Sequence, residues 1–408
     1  MADKLKSFTQ RWKYEAAIFL LTMIPVIFNS NKLTHVHPMY VPYYLFDFSM
    51  GINSRMWVGS VVNLLNPHPS EEWLKIFALI ILILGMLLTA IALGAVVKKA
   101  KIENRLTVFV FILFFVTGAY TISLFSRFFA MLDIHMYILA LVSVLFLTNK
   151  YLRWFVPVLC VIGVFVNYVF VMSYFPFVLL ALLYFADKSE KKGGMIFLFI
   201  ITVVSVMIPT IYCVLEATDH MFITFEEALK IMEDKIGHTL TGEQNEYALG
   251  YLFGSNDFIE ETYNLKISEL SPVQFIYYFI KYILENRVNG YGALVLLISA
   301  LPVLAVFCTI WVMCIRRSEK KSRRFVYICN ILSIVCIPVC CILSTDFARW
   351  IASGVMCQFA MCFLMFYCAD EAFDKTIEKI REFFSKNKLV LILMFFVYIS
   401  ISYLDLTT

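Results

Sequence analysis

The chain has 408 residues, of which 61% are hydrophobic and 16% charged, and its formal net charge is +4; the mean hydropathy is +0.80. Such a composition lies far outside the soluble range and belongs to a polytopic protein that uses the lipid bilayer as its solvent. The positive excess is segregated in short stretches and forms no basic patch, so no nucleic-acid partner is expected.

The opening MADKLKSFTQRWKYEAAIFLLTMIPVIF joins a basic start to an apolar run, but no small-residue cleavage pattern follows Phe28. It reads as a retained first helix with a cytoplasmic N-terminus. Apolar segments follow along the chain, so that the set lies near 14–30, 74–97, 106–125, 134–148, 195–215, 291–315, 325–344, 348–368 and 389–404. Each approaches or exceeds the roughly 20 residues that an upright spanning helix needs. The run 154–186 is too long for one helix and has basic stretches on both sides, NKYLR and DKSEKK. It is expected to cross out and back as two short helices, with Asn167 and Tyr168 near the outer tip. The expected fold is therefore all-α, a polytopic transmembrane helical bundle of about eleven spans with structured helical outer loops. It forms one integral membrane domain over 1–408, with a first outer loop at 31–73 and a long one at 216–290.

Orientation follows from lysine and arginine. If the spans alternate, KKAKIENR (98–105), NKYLR (149–153), DKSEKK (187–192), RRSEKKSRR (316–324) and DKTIEKIREFFSKNK (374–388) share one side. The positive-inside rule makes that side the cytoplasm. All six histidines, His35, His37, His68, His135, His220 and His238, then fall on the outer side. The expected location is the bacterial cytoplasmic membrane, crossed many times.

The outer loops carry helix signals. Ser54 or Asn53 is placed to cap a helix over RMWVGSVVNLL that Asn66-Pro67 ends. Thr224 and Glu227 have the spacing of a capping box, and Ser271 with Pro272 and Gln274 marks a third start. Residues 216–270 hold twelve acidic side chains against Lys230, Lys235 and Lys266. A solvated acidic face is the expected reading, with catalytic use of Thr218-Asp219-His220 as the alternative. Of the eleven cysteines, ten sit inside apolar runs and Cys213 ends one, in a pattern of small packing residues and not of metal ligands. His35 and His37 lie i, i+2 on an extended segment, but no acid or Cys completes a ligand set, so no metal or other cofactor is indicated.

The charges near the membrane gather at the outer mouths of helices. They are Asp47 and Arg55 in YYLFDFSMGINSRMWVG, Arg127, Asp133 and His135 in SRFFAMLDIHMY, and Asp346 and Arg349 in STDFARW. A single Arg beside aromatic residues at a helix end also serves as a snorkelling anchor. Three turns that each pair an acid with an Arg on one side favour a functional site. A carboxylate there can take a proton from a sugar hydroxyl, while guanidinium groups hold a phosphate or pyrophosphate by paired bonds.

The first outer loop, with its acid before a juxtamembrane helix, resembles the GT-C class of membrane glycosyltransferases, and the resemblance implies Asp47 as catalytic base. The turns SRFFAMLDIHMYILAL and DFARW resemble bacterial polysaccharide polymerases of the EpsG and Wzy type. That resemblance implies Arg55, Arg127, Asp133, His135, Asp346 and Arg349 as substrate-binding residues. Such polymerases often carry a His at an outer helix tip, where positions 167–168 here read Asn-Tyr. The expected function is a membrane glycosyltransferase or polysaccharide polymerase acting on polyprenyl-linked saccharides, of undecaprenyl phosphate type, at the outer face. The alternative is a transporter or flippase of lipid-linked saccharides, which would place its polar groups near the bilayer midplane.

Overall fold

The computed structural model describes residues 2–118, 120–190, 192–215, 222–240, 242, 244, 262–266, 270–282, 285, 291–343 and 347–403. Among them the regular structure is helical throughout. Helix α1 (Ala2–Phe28) leads into a first long loop, which holds α2 (Pro42–Leu45) and α3 (Met56–Leu65). Next comes α4 (Glu71–Lys99), whose start is fixed by Ser70 accepting from Trp73 N at 3.2 Å. Glu71 and Glu72 in its first turn and Lys98 and Lys99 in its last complement the helix dipole at both ends.

The segment near 106–125 is not one helix. It divides into α5 (Arg105–Thr117) and α6 (Ser123–Arg127), with Gly118 extended between them. The hydroxyls of Thr121 and Ser123 donate to the Gly118 carbonyl and so satisfy the broken ladder. Gly118 leaves room there for the Tyr398 hydroxyl, which would stand 2.1 Å from an added Cβ.

After α7 (Asp133–Leu147), the run 154–186 divides as expected into α8 (Val156–Val166) and α10 (Phe175–Lys188). The turn at Asn167 and Tyr168 and the short α9 (Phe170–Ser173) join them. Helix α11 (Lys192–Leu215) precedes α12 (Phe225–Ile236) and α13 (Pro272–Tyr282) of the long loop. The bundle resumes with α14 (Tyr291–Arg317), α15 (Lys321–Leu343) and α16 (Phe347–Tyr367). Helices α17 (Glu371–Lys386) and α18 (Lys388–Tyr403) close the chain.

Among the described residues four helices, α4, α11, α14 and α16, are long and apolar enough to cross a membrane. Four such helices are what a membrane protein would carry. Of the apolar stretches, that of α16 is 83% buried and that of α11 22%, so α16 is the central helix and α11 a peripheral one. Phe111 and Phe115 of α5 meet Phe359, Phe363 and Phe366 of α16 edge-on or tilted, at centroid separations of 5.5 to 6.3 Å. Each such pair contributes about 0.5–1.5 kcal/mol beyond its buried area. Deep in the bundle Trp311 Nε1 donates to Gln358 Oε1 at 2.6 Å, and Gln358 Nε2 donates to Ser333 Oγ at 2.8 Å. One amide thus links α14, α15 and α16, as polar side chains do where no water competes.

Two expectations of local structure are corrected. Arg55, in the left-handed region at φ 72°, is the N-cap of α3, and neither Asn53 nor Ser54 caps it. The Ser54 hydroxyl instead donates to Val164 O at 3.2 Å and accepts from Tyr168 N at 2.7 Å, which fastens the loop to the tip between α8 and α9. The stretch 374–388, expected as a basic connection, is mostly α17, an amphipathic helix capped by Asp370. Phe373 and Ile377, one turn apart, are buried while Lys375 and Lys379 are exposed. At that same end Arg323 Nε donates to Asp187 at 2.6 Å, its other arm meets Asp370, and its guanidinium lies 4.2 Å from the Tyr184 ring centroid. The other starts stand as expected. Both halves of the capping box at Thr224 and Glu227 are made, and Ser271 and Gln274 exchange bonds of 3.0 and 3.3 Å at the start of α13.

Candidate functional site

The site begins with Gly59. A Cβ at this position of α3 would stand 1.7 Å from the Phe46 carbonyl oxygen, so only glycine lets the helix press against the loop main chain. The next residue, Ser60, accepts from Phe48 N at 3.0 Å. Helix α3 therefore grips the chain on both sides of Asp47.

Asp47 is 2% exposed. Its Oδ1 accepts from Ser49 N at 2.8 Å and from the Ser49 hydroxyl, while Oδ2 lies 2.6 Å from Lys235 Nζ on α12. Lys235 also donates to Leu45 O at 3.1 Å, and Phe222 N donates to Met50 O at 2.9 Å. The two loops are thereby locked into one cap. Burial acts to raise the Asp47 pKa, but the bonds from Lys235 and Ser49 outweigh it and hold the carboxyl below its ordinary value.

The cap is seated on the turn before α7. The buried Tyr44 hydroxyl donates to Ala130 O at 2.7 Å, and the Tyr44 ring meets His135 at 6.3 Å between centroids. Asp133 opens α7, and its Oδ2 lies 3.0 Å from Nε and 2.9 Å from Nη2 of Arg349 on α16. The two side chains are 4% and 13% exposed and come from positions 216 residues apart. Two residues beyond Asp133, both ring nitrogens of His135 are buried without a hydrogen-bond partner among the described residues, as are the Tyr174 hydroxyl and Trp350 Nε1.

Of the residues marked in the sequence, Asp133, His135 and Arg349 come together, and Tyr44 brings the Asp47 loop against them. Arg55 lies over the Tyr168 ring at 5.6 Å from its centroid, an aromatic seat that suits an anchoring role. Arg127 ends α6 beside Ser126, which bonds to Asn29 Nδ2 at 3.0 Å and so ties α6 to the end of α1. Asp346, Asp219 and His220 lie outside the described residues. His35 Nδ1 is 3.0 Å from the Thr34 hydroxyl, and His37 Nδ1 accepts from Met39 N at 3.4 Å. Among the described residues no group of three or more His, Cys, Asp or Glu side chains converges as ligands of a metal ion would.

Lys235, Tyr44 and Gly59 were not marked from sequence. Lys235 had a signal: it is a cation in the last turn of a capped helix within an acidic loop, where it must find a carboxylate or water. Gly59 had none, because its role depends on a main-chain approach that spacing does not reveal. No family model, curated protein or solved structure matches the chain. Fold and site together define an all-α helical protein, with four helices apolar and long enough to span a membrane and a buried acid–arginine pair beneath a two-loop cap.

Proposed function

We propose that the chain is a membrane glycosyltransferase or polysaccharide polymerase that acts on polyprenyl-linked sugars at the outer face of the bacterial cytoplasmic membrane. The observation that carries this reading is the fork of Arg349 on Asp133, with the unpartnered His135 two residues away. A guanidinium that binds one carboxylate by two nitrogens fits a phosphate oxygen pair equally well. Buried polar groups without partners are rare in native proteins and point to sites where a ligand or a reacting group completes the set.

In the proposed step the acceptor hydroxyl oxygen bonds to the anomeric carbon of the donor. The bond from that carbon to the phosphate oxygen breaks, the polyprenyl pyrophosphate leaves against Arg349, and the hydroxyl proton passes to His135. His135 stands in the first turn of α7, an outer helix tip in the expected topology of eleven crossings with the N-terminus inside. The resemblance to GT-C enzymes assigned the base to Asp47. Its bonds to Ser49 and to Lys235, which tie the two loops together, weigh instead for a clamp that holds the cap over the reacting groups.

A flippase of lipid-linked saccharides is the second reading, favoured by one observation: Asn330 Oδ1, beside the Gln358 amide deep in the bundle, is buried without a partner. The rest of that layer is satisfied from within, as static helix packing requires. The test supplies purified protein in lipid nanodiscs with a polyprenyl-pyrophosphate-linked oligosaccharide and measures new glycosidic bonds, beside translocation of the same substrate in vesicles. His135→Gln should lower product by about 10²- to 10⁴-fold, the usual span for losing a proton acceptor, and Arg349→Lys should lower it as well, because lysine loses the planar fork. Translocation without any new bond gives the case to the flippase.

A further inference from the structure

A cavity of about 460 Å³ opens between α5, α14, α16, α17 and α18, away from the Asp133 site. Its walls are apolar side chains such as Val110, Phe114, Val306, Phe307 and Leu391. Among the described residues the only charged ones that line it are Arg381 and Lys388, and both stand at one end, with Ser385 between them. This is the end where α5 begins at Arg105 and where Lys101 pairs with Asp374 at 2.7 Å. The other end is closed by Tyr398, whose hydroxyl is seated on Gly118.

We propose that this groove binds one anionic phospholipid, with the phosphate head on Arg381 and Lys388 and an acyl chain along the apolar wall toward Tyr398. Three observations converge on that occupant. The length agrees: from Lys388 to Tyr398 an α-helix rises about 15 Å, and half of a hydrocarbon core of about 30 Å is the depth of one leaflet. The charge agrees, because two cations at the mouth of an otherwise apolar groove suit an anionic head on a hydrocarbon tail, and basic pockets between helices are known to hold such heads. The position agrees, because Arg381 and Lys388 flank the junction of α17, which is amphipathic, and α18, which is apolar, where the chain passes from interface to hydrocarbon. A free phosphate ion would leave the apolar wall unused. Arg381 is held toward the mouth by donating to Glu103 O at 2.6 Å. The site lies at the opposite end of α5 from the turn that leads to Asp133, and the inference does not rest on the glycosyl-transfer reading.

The test is native mass spectrometry of the purified chain in a mild detergent, titrated with phosphatidylglycerol, with phosphatidylcholine of the same chains, and with sodium phosphate as competitor. The expected result is one phosphatidylglycerol adduct retained at least tenfold better than phosphatidylcholine and not displaced by millimolar phosphate. Arg381→Ala with Lys388→Ala should weaken it by about thirtyfold, since each basic residue near an anionic head contributes a severalfold factor. The charge-keeping exchange Arg381→Lys with Lys388→Arg should retain it. Val306→Trp, which fills the groove, should remove the adduct while leaving the basic end intact. Equal retention of both lipids, indifference to the double alanine variant, or displacement by phosphate alone would overturn the proposal. If Val306→Trp does not fold, the surface pair Arg381 and Lys388 still decides it.

Discussion

Lys235 Nζ stands 2.6 Å from Asp47 Oδ2 and joins two loops across 188 residues of chain. The pair is nearly closed to water, with side chains 12% and 3% exposed, so the partner left by a single substitution keeps a charge that solvent does not compensate. Removing one member of a buried pair costs about 3–5 kcal/mol, whereas removing both costs far less. Lys235→Ala is therefore expected to release α12 from the first loop. Hydrogen exchange in nanodiscs should rise over 225–236 and 43–50, and Lys235→Met with Asp47→Leu should restore part of the protection. Unchanged exchange in Lys235→Ala would show that the apolar face of α12 holds the cap without the ion pair.

The same pair sets a pH dependence. The Asp47 pKa is lower in the folded chain than in the unfolded one. Its contribution to stability is thus complete above the ordinary carboxylate value of about 3.9 and is lost as the pH falls below it through the folded value. Wild type should melt at a higher temperature than Asp47→Asn at pH 7, and that difference should shrink below about pH 4. A difference that stays constant across this range would mean that the carboxylate is not held by charge.

Gly59 and Gly118 offer a contrast in what a single methyl group does. At Gly59 the obstacle is the Phe46 main chain, 1.7 Å from the added carbon; at Gly118 it is the end of a side chain, the Tyr398 hydroxyl at 2.1 Å. A backbone cannot swing aside as a phenol can. Gly59→Ala should cost at least the upper part of the roughly 1–3 kcal/mol usual for overpacking and should displace Asp47, while Gly118→Ala should cost less and chiefly loosen α18. The melting temperatures and expression of the two variants check the order, and the reverse order would sink it.

Much of the helical layout was legible from the length of its apolar runs. A backbone in hydrocarbon must satisfy its own hydrogen bonds, so each apolar run near span length read as a helix, and the long run 154–186 broke at Asn167 and Tyr168 as its flanking charges required. The division at Gly118 was not legible, since the sequence there stays apolar and the break answers to Tyr398, some 280 residues away. The acid and Arg at the outer turns were visible one by one. Which acid meets which cation was not: Asp47 takes Lys235 from the long loop instead of Arg55, and Asp133 takes Arg349 from α16 instead of Arg127. Such pairings depend on how helices stack, and stacking leaves no mark in the spacing of one segment.

Topology has its own test. Glu226 on α12 and Lys320 between α14 and α15 are both exposed, and eleven crossings put them on opposite sides. A membrane-impermeant thiol reagent applied to intact cells should label Glu226→Cys above the wild-type background and label Lys320→Cys only after permeabilisation. The opposite pattern would turn the cap toward the cytoplasm and remove the outer-face assignment of Asp133, His135 and Arg349.

The last prediction separates clamp from base at Asp47. If Asp47 holds the cap, Asp47→Asn and Lys235→Ala break one and the same contact, and both variants should lose product formation to a similar extent. Combining them should then add little, because residues that act through one contact are not additive. If Asp47 instead takes the proton, Asp47→Asn should fall by about 10² to 10⁴. Lys235→Ala would in that case keep a stronger base, since the cation that lowers the Asp47 pKa is gone. His135 supplies the complementary measurement. Its ring nitrogens make no hydrogen bond that supports the fold, so His135→Gln should melt close to wild type while losing product. A His135→Gln variant with full product formation would remove the proton acceptor from α7. Together with a large loss in Asp47→Asn alone, it would return the base to the first outer loop.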